Sequence, residues 1–124
     1  MTSEDDLTAA AATGQREEVE RLLRAGARVN GPNRFGRTAI QVVMMGSTSV
    51  VRFLLESGAD PNVADRSTGT TPLHDAARTG FVDTVRLLVQ FGADPQATDN
   101  HHHRPVDLAR EHGRVEVVDF LQSL

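Results

Sequence analysis

Along residues 71–96 the apolar positions recur at helical spacing in two short runs. Leu73, Ala76 and Ala77 stand at i, i+3 and i+4, and Val85, Leu88 and Val89 follow a similar spacing beyond Gly80. A period near 3.6 predicts one helix on each side of that glycine. Thr71 is a capping residue type, and Pro72 occupies the first helical position, where a missing N–H removes no intrahelical bond. Gly92 supplies the left-handed residue that closes the second helix. Two short antiparallel helices are predicted, the first with a stripe of small side chains that permits close packing.

The same pattern recurs along the chain. Gly26, Gly58 and Gly92 close three similar segments, Ala25-Gly-Ala-Arg, Ser57-Gly-Ala-Asp and Phe91-Gly-Ala-Asp, spaced by 32 and 34 residues. Gly14, Gly46 and Gly80 precede them by 12 residues each, and Gly113 is a fourth inter-helix glycine. A unit of this size cannot bury its apolar face alone, so four of them predict an all-α repeat solenoid. We read one domain over 1–124, with repeats at about 3–29, 30–61, 62–95 and 96–124.

Each unit has its own irregularity. In the first, Ser3 and Asp6 have capping-box spacing, so helix one is predicted to start near Ser3 or Glu4. Ala9 to Ala12 form its small-residue stretch, and Val19, Leu22 and Leu23 form the stripe of helix two. In the second, Asn30-Gly-Pro-Asn and Phe35-Gly36 form a turn-rich finger. Thr38 to Gly46 is one step shorter than Thr71 to Gly80 and carries the β-branched Val42 and Val43, which predicts a single distorted turn before Val51, Leu54 and Leu55 resume the pattern. The third finger has one extra residue, since Asn62 to Thr71 spans nine steps where Asn30 to Thr38 spans eight. In the fourth, Glu111, Arg114, Glu116 and Asp119 are read as solvating an uncovered last layer.

Composition narrows the function classes. Of the 124 residues 39% are hydrophobic and 24% charged, as in a globular domain. No apolar run approaches the roughly 18–20 residues that span a bilayer, and the acidic start, Met1 to Asp6, is unlike a signal peptide. We therefore expect an intracellular protein. The absence of cysteine excludes disulfides and thiolate zinc sites. A net charge of −4 opposes general affinity for nucleic acid or anionic membrane, which depends on basic surface.

The segments Thr71-Pro-Leu-His-Asp-Ala-Ala, Leu87-Leu-Val and Gly92-Ala-Asp resemble the ankyrin repeat. More narrowly, Asn33-Arg-Phe-Gly-Arg with Ile40-Gln-Val-Val-Met-Met-Gly-Ser resembles the second repeat of the short, four-repeat ankyrin inhibitors of cyclin-dependent kinases 4 and 6. Glu56-Ser-Gly-Ala-Asp-Pro-Asn, His74-Asp-Ala-Ala-Arg-Thr-Gly-Phe-Val-Asp-Thr and Pro105-Val-Asp-Leu-Ala agree with it. The resemblance covers essentially the whole chain. It implies a monomeric, non-enzymatic protein that binds kinases 4 and 6 away from the cyclin, opposes cyclin engagement and restrains G1 progression. It implies no cofactor or metal, and no nucleic-acid or membrane partner. A general ankyrin adaptor for another protein is the alternative, because the scaffold serves many partners.

On a helical wheel Asp75 and Arg78 lie opposite the Leu73/Ala76/Ala77 stripe and face outward. Position alone allows an intramolecular i,i+3 pair worth only tenths of a kcal/mol; the resemblance implies that Asp75 meets an arginine of the kinase with Arg78 beside it. Met44 and Met45 are adjacent and cannot both enter one stripe, so they read either as an adaptable binding surface or as filling beside the short helix. Gln41 belongs to the same family-matched segment as the methionines, and Glu17, Asp65 and Phe81 match positions at or beside the family's interface. Glu17 also reads as a solvated helix charge, Asp65 as a turn former and Phe81 as a packing residue.

His74 beside Asp75 invites a catalytic reading, but no nucleophile stands at a fixed local spacing. The ankyrin resemblance implies that its ring hydrogen-bonds the neighbouring finger. His101, His102 and His103, with His112 further on, are the one metal-like cluster, and consecutive turn residues do not easily surround one ion. An enzyme or metalloprotein using these histidines is the third function class. The family usually has an aromatic-glycine pair where His101 and His102 stand, so loss of that glycine is expected to strain or reshape the finger.

Overall fold

The computed structural model describes all 124 residues as eight helices: α1 (Ser3–Ala12), α2 (Arg16–Arg24), α3 (Ala39–Val42), α4 (Thr48–Glu56), α5 (Pro72–Thr79), α6 (Val82–Gln90), α7 (Pro105–Glu111) and α8 (Val115–Gln122). No helix is long and apolar enough to cross a membrane. The chain divides into two compact units, Met1–Asp60 and Pro61–Leu124. In the first, α1 pairs with α2 and α3 with α4, while α1 stacks on α3 and α2 on α4. In the second, α5 and α6 stack in the same way on α7 and α8. Each unit is therefore a two-layer stack of an all-α solenoid class.

Small residues and branched aliphatics account for the layers. Ala10 and Ala11 of α1 and Ala39 and Ile40 of α3 are buried in the stack of these two helices, and Val19, Leu22, Val50, Val51, Leu54 and Leu55 complete the first core. In the second unit Leu73, Ala76 and Ala77 are fully buried together with Val85, Leu88 and Val117. In α6 the buried face is Thr84, Val85, Leu87 and Leu88, with Val89 only half-buried. The stripe is therefore displaced toward Leu87 from the predicted Val85/Leu88/Val89 set, and Leu23 of α2 is likewise half-buried.

Helix α1 starts at Ser3 as predicted, but its cap corrects one expectation. The cap of α1 is Thr2, not Ser3: the Asp5 N–H donates to Thr2 Oγ1 at 3.2 Å, and Thr2 N–H donates to Asp5 Oδ2 at 2.9 Å. Both frames have the same spacing in sequence. The choice is tertiary, because Asp5 Oδ1 also accepts the Arg34 N–H of the finger at 2.9 Å. Thr71 caps α5 as predicted, and Gly80 ends it with φ 85°. The short α3 is a single turn of four residues. Gln41 Oε1 accepts the Thr38 N–H at 2.7 Å, whereas buried Thr38 Oγ1 has no hydrogen-bond partner, so only one arm of that cap is made.

The fingers share one closure. Asn33 N–H donates to Arg37 O at 2.8 Å, and Asp99 N–H to His103 O at 2.9 Å. The finger with the extra residue closes from Asp65 N–H to Thr70 O at 2.8 Å. His102 is the one non-glycine residue with positive φ, at 64°, close to the 79° and 73° of Gly36 and Gly69 in the other fingers. The last finger has kept its shape and taken the strain.

Candidate functional site

Helix α5 carries two of the candidate residues, Asp75 and Arg78. Its stripe turns Leu73, Ala76 and Ala77 inward, which leaves Asp75 with 33% of its side chain exposed and Arg78 with 47%. Arg78 Nη2 stands 3.7 Å from Asp75 Oδ1, so the local ion pair is formed. Burial nevertheless pushes the Asp75 carboxyl above the ordinary aspartate range, against the opposing pull of Arg78 and His74. The Asp65 carboxylate pushes it in the same upward direction. A half-desolvated acid with a second acid in electrostatic reach favours an additional cation.

Phe81 caps α6 immediately after the Gly80 turn and is 44% exposed. Arg114, read from sequence only as a solvating charge, donates from Nε to the Arg78 carbonyl at 3.0 Å. It thereby satisfies an acceptor in the last turn of α5 and places a positive charge at the negative end of that helix. Contacts across 36 residues have no local sequence signature.

His74 is fully buried and its ring is committed to the scaffold. Nε2 donates to the His103 carbonyl at 2.8 Å, and Nδ1 accepts the Thr71 N–H at 3.1 Å. The finger contact implied by the ankyrin resemblance is therefore present. Nothing about this arrangement offers a proton to a substrate.

The other candidates lie in the first unit. Glu17 is exposed in the first turn of α2 and lines a shallow cleft of about 510 Å³ with Gln15, Arg16 and Glu18. Gln41 is half-buried, and its carbonyl oxygen serves the start of α3. The methionines split the two readings: Met45 is 8% exposed and fills the space beside the short helix, while Met44 is 46% exposed. Met44 is held there by its backbone, whose N–H donates to Ala11 O at 3.1 Å. Thus Asp65, Asp75 and Arg78 are coupled electrostatically, with Phe81 beside the end of α5, whereas Glu17, Gln41, Met44 and Met45 belong to the first unit.

In the histidine finger, His103 Nδ1 stands 3.6 Å from Asp99 Oδ2 and Nε2 stands 3.6 Å from Glu111 Oε2. The His101 and His103 rings are tilted, with centroids 6.4 Å apart. No three His, Asp or Glu side chains are grouped so as to hold a metal ion.

Comparison with known proteins agrees with the architecture. The family described as Ankyrin repeats (3 copies) matches residues 4–65 and 42–123. The chain is 51% identical over 121 residues to human cyclin-dependent kinase 4 inhibitor B, covering 98% of this chain and 88% of that protein. The mouse protein of that name is 49% identical over 122 residues, covering 98% and 94% of the two chains. Human cyclin-dependent kinase inhibitor 2A is 50% identical over 121 residues, covering 98% and 78%.

Proposed function

The chain belongs to the ankyrin-repeat family of cyclin-dependent kinase inhibitors, and from that premise we propose that it binds and inhibits cyclin-dependent kinases 4 and 6 and so restrains G1 progression. It acts by binding, without catalysis or cofactor, as a monomer in cytoplasm and nucleus. The observation that carries the proposed site is Asp75, an outward-facing carboxylate left half-buried and electrostatically underpaid by Arg78. A guanidinium brought by the kinase would relieve that frustration in a charge-assisted hydrogen bond. Exposed Phe81, at the start of α6, offers an apolar contact of its own, and exposed Met44 of the first unit is an adaptable side chain.

Inhibition then follows from linkage. An inhibitor that prefers the inactive arrangement of the kinase lobes must disfavour any ligand that prefers the active one, cyclin included. The test is a titration of monomeric kinase 4 with and without its cyclin, with kinases 6 and 2 as comparisons. Binding to 4 and 6, weakened by cyclin and absent for 2, is the expected result. Binding to neither 4 nor 6 overturns the reading and leaves an adaptor for another protein.

A further inference from the structure

The turn-rich start of the second repeat contains Asn30-Gly31, the residue pair most prone to lose the side-chain amide. The backbone nitrogen of the following residue attacks the side-chain carbonyl carbon, and glycine has no side chain to hinder it. The structure shows why glycine fits after Asn30 and what restrains the pair. A β-carbon on Gly31 would stand 2.6 Å from Glu4 Cγ, whose own carboxylate accepts the Arg28 N–H at 3.0 Å, so this close packing against the α1 side chain favours glycine. The Gly31 N–H, the attacking group once deprotonated, donates to Arg28 O at 3.0 Å.

The amide that would be lost is itself a clamp within the first unit. Asn30 Nδ2 donates to Gly58 O at 3.0 Å, and Asn30 Oδ1 accepts the Asp60 N–H at 2.8 Å. Asn62 repeats the arrangement in the second unit, donating to Gly92 O at 3.0 Å and accepting from Asp94 N–H at 2.8 Å. There the next residue is the β-branched Val63, which hinders attack. The two clamps are alike in geometry and differ in chemical durability.

We propose that Asn30 is a site of spontaneous deamidation, gated by opening of its own clamp, and that the modification irreversibly loosens the first unit. The Gly31 nitrogen forms a bond to Asn30 Cγ, and ammonia leaves with the C–N bond of the side chain. Water then opens the resulting succinimide to aspartate or isoaspartate. The product carries an anion where Nδ2 had been, facing the Gly58 carbonyl, which can only accept. The donor is gone and a repulsion replaces it. Isoaspartate also lengthens the backbone at the finger base.

The test needs no kinase, so its failure is separate from failure of the inhibitor reading. The full chain is aged at neutral pH in its native state and in guanidinium, and amide loss at Asn30 and Asn62 is followed by peptide mass mapping with isoaspartate detection. Conversion at Asn30 in preference to Asn62, at least about tenfold slower in the folded chain because reaction requires local opening, is the expected result. Asn30→Asp, which reproduces one product without ageing, is expected to unfold at lower urea than the parent. Equal rates in folded and unfolded chains would show that the clamp gates nothing. An Asn30→Asp variant as stable as the parent would show that the modification is harmless, and either result overturns the proposal.

Discussion

Arg78 lies 3.7 Å from Asp75 on the outer face of α5, yet the Asp75 carboxyl is held above its ordinary range because burial outweighs the pairing. A folded-state pKa raised above the unfolded value means that the charged form is penalised by folding. The associated stability is present below the unfolded pKa and is lost as pH rises through the folded one. At neutral pH Asp75 is thus a small liability to the fold, retained on a face that a partner can reach.

Asp75→Asn separates the two roles. It keeps the shape and removes the charge, so urea unfolding at neutral pH should match the parent or shift slightly upward. Binding to kinase 4 should weaken by about 2 to 5 kcal/mol if an arginine of the kinase loses its desolvated partner. Ala77→Leu provides the opposite case: Ala77 is fully buried, so overpacking should destabilise the fold by about 1 to 3 kcal/mol and reduce binding only through unfolding. A variant of Asp75 that binds and unfolds like the parent would make it an ordinary solvated charge.

The single turn of α3 is the expected weak point of the first unit. Four helical residues give it little intrahelical support, and Thr38 Oγ1 is buried without a partner. Native-state amide exchange should therefore show faster opening over Gln41 to Met45 than over Leu87 to Val89, which lie inside the nine-residue α6. Equal protection would mean that tertiary anchoring, such as Met44 N–H to Ala11 O, fully compensates for the missing helix.

What was readable in the sequence is what is local. The glycine spacing, the Thr71-Pro72 start and the shortened second repeat each depend on neighbours within one turn, and all are found in place. The start of α1 at Ser3 is as expected, but its capping pair is Thr2/Asp5 and not Ser3/Asp6; the two have equal spacing, and Asp5 is the one that also accepts the Arg34 N–H of the finger. Which methionine is exposed depends on the Ala11 tether, and the role of Arg114 depends on a carbonyl 36 residues away. The outward placement of Asp75 followed from the wheel. Its unfavourable burial did not, because that comes from stacking.

His102 stores strain that can be released. A non-glycine residue at φ 64° incurs a penalty of about 1 kcal/mol that glycine avoids. His102→Gly should raise unfolding stability by somewhat less than that, because glycine also gains freedom in the unfolded chain. Replacing His101 to His103 by Asn, Gly and Lys should leave kinase 4 binding within a few fold. A loss of about tenfold, roughly 1.4 kcal/mol, would bring this finger into the interface.

Asp99 organises the same finger by charge. Its Oδ1 accepts the N–H groups of His101 at 2.8 Å and His103 at 2.9 Å, and its Oδ2 faces the His103 ring at 3.6 Å. Burial pushes its carboxyl up, but the two amide hydrogen bonds, with the nearby histidines, outweigh burial and hold it below the ordinary range. A depressed folded-state pKa contributes stability above the unfolded value of about 3.9, and that contribution disappears as pH falls through the folded value. Asp99→Asn can still accept both amides but has no charge, so it should be less stable than the parent near neutrality, with the gap closing in acid. Asp99→Ala leaves both donors unmatched and should lose about 1 to 3 kcal/mol. Because His74 binds the carbonyl of His103, the alanine variant should also speed amide exchange at Thr71 and His74. Urea midpoints at neutral and acid pH for the three proteins decide it: a parent-to-Asn gap that stays constant down the acid limb would mean that shape alone, not the carboxylate charge, holds the finger.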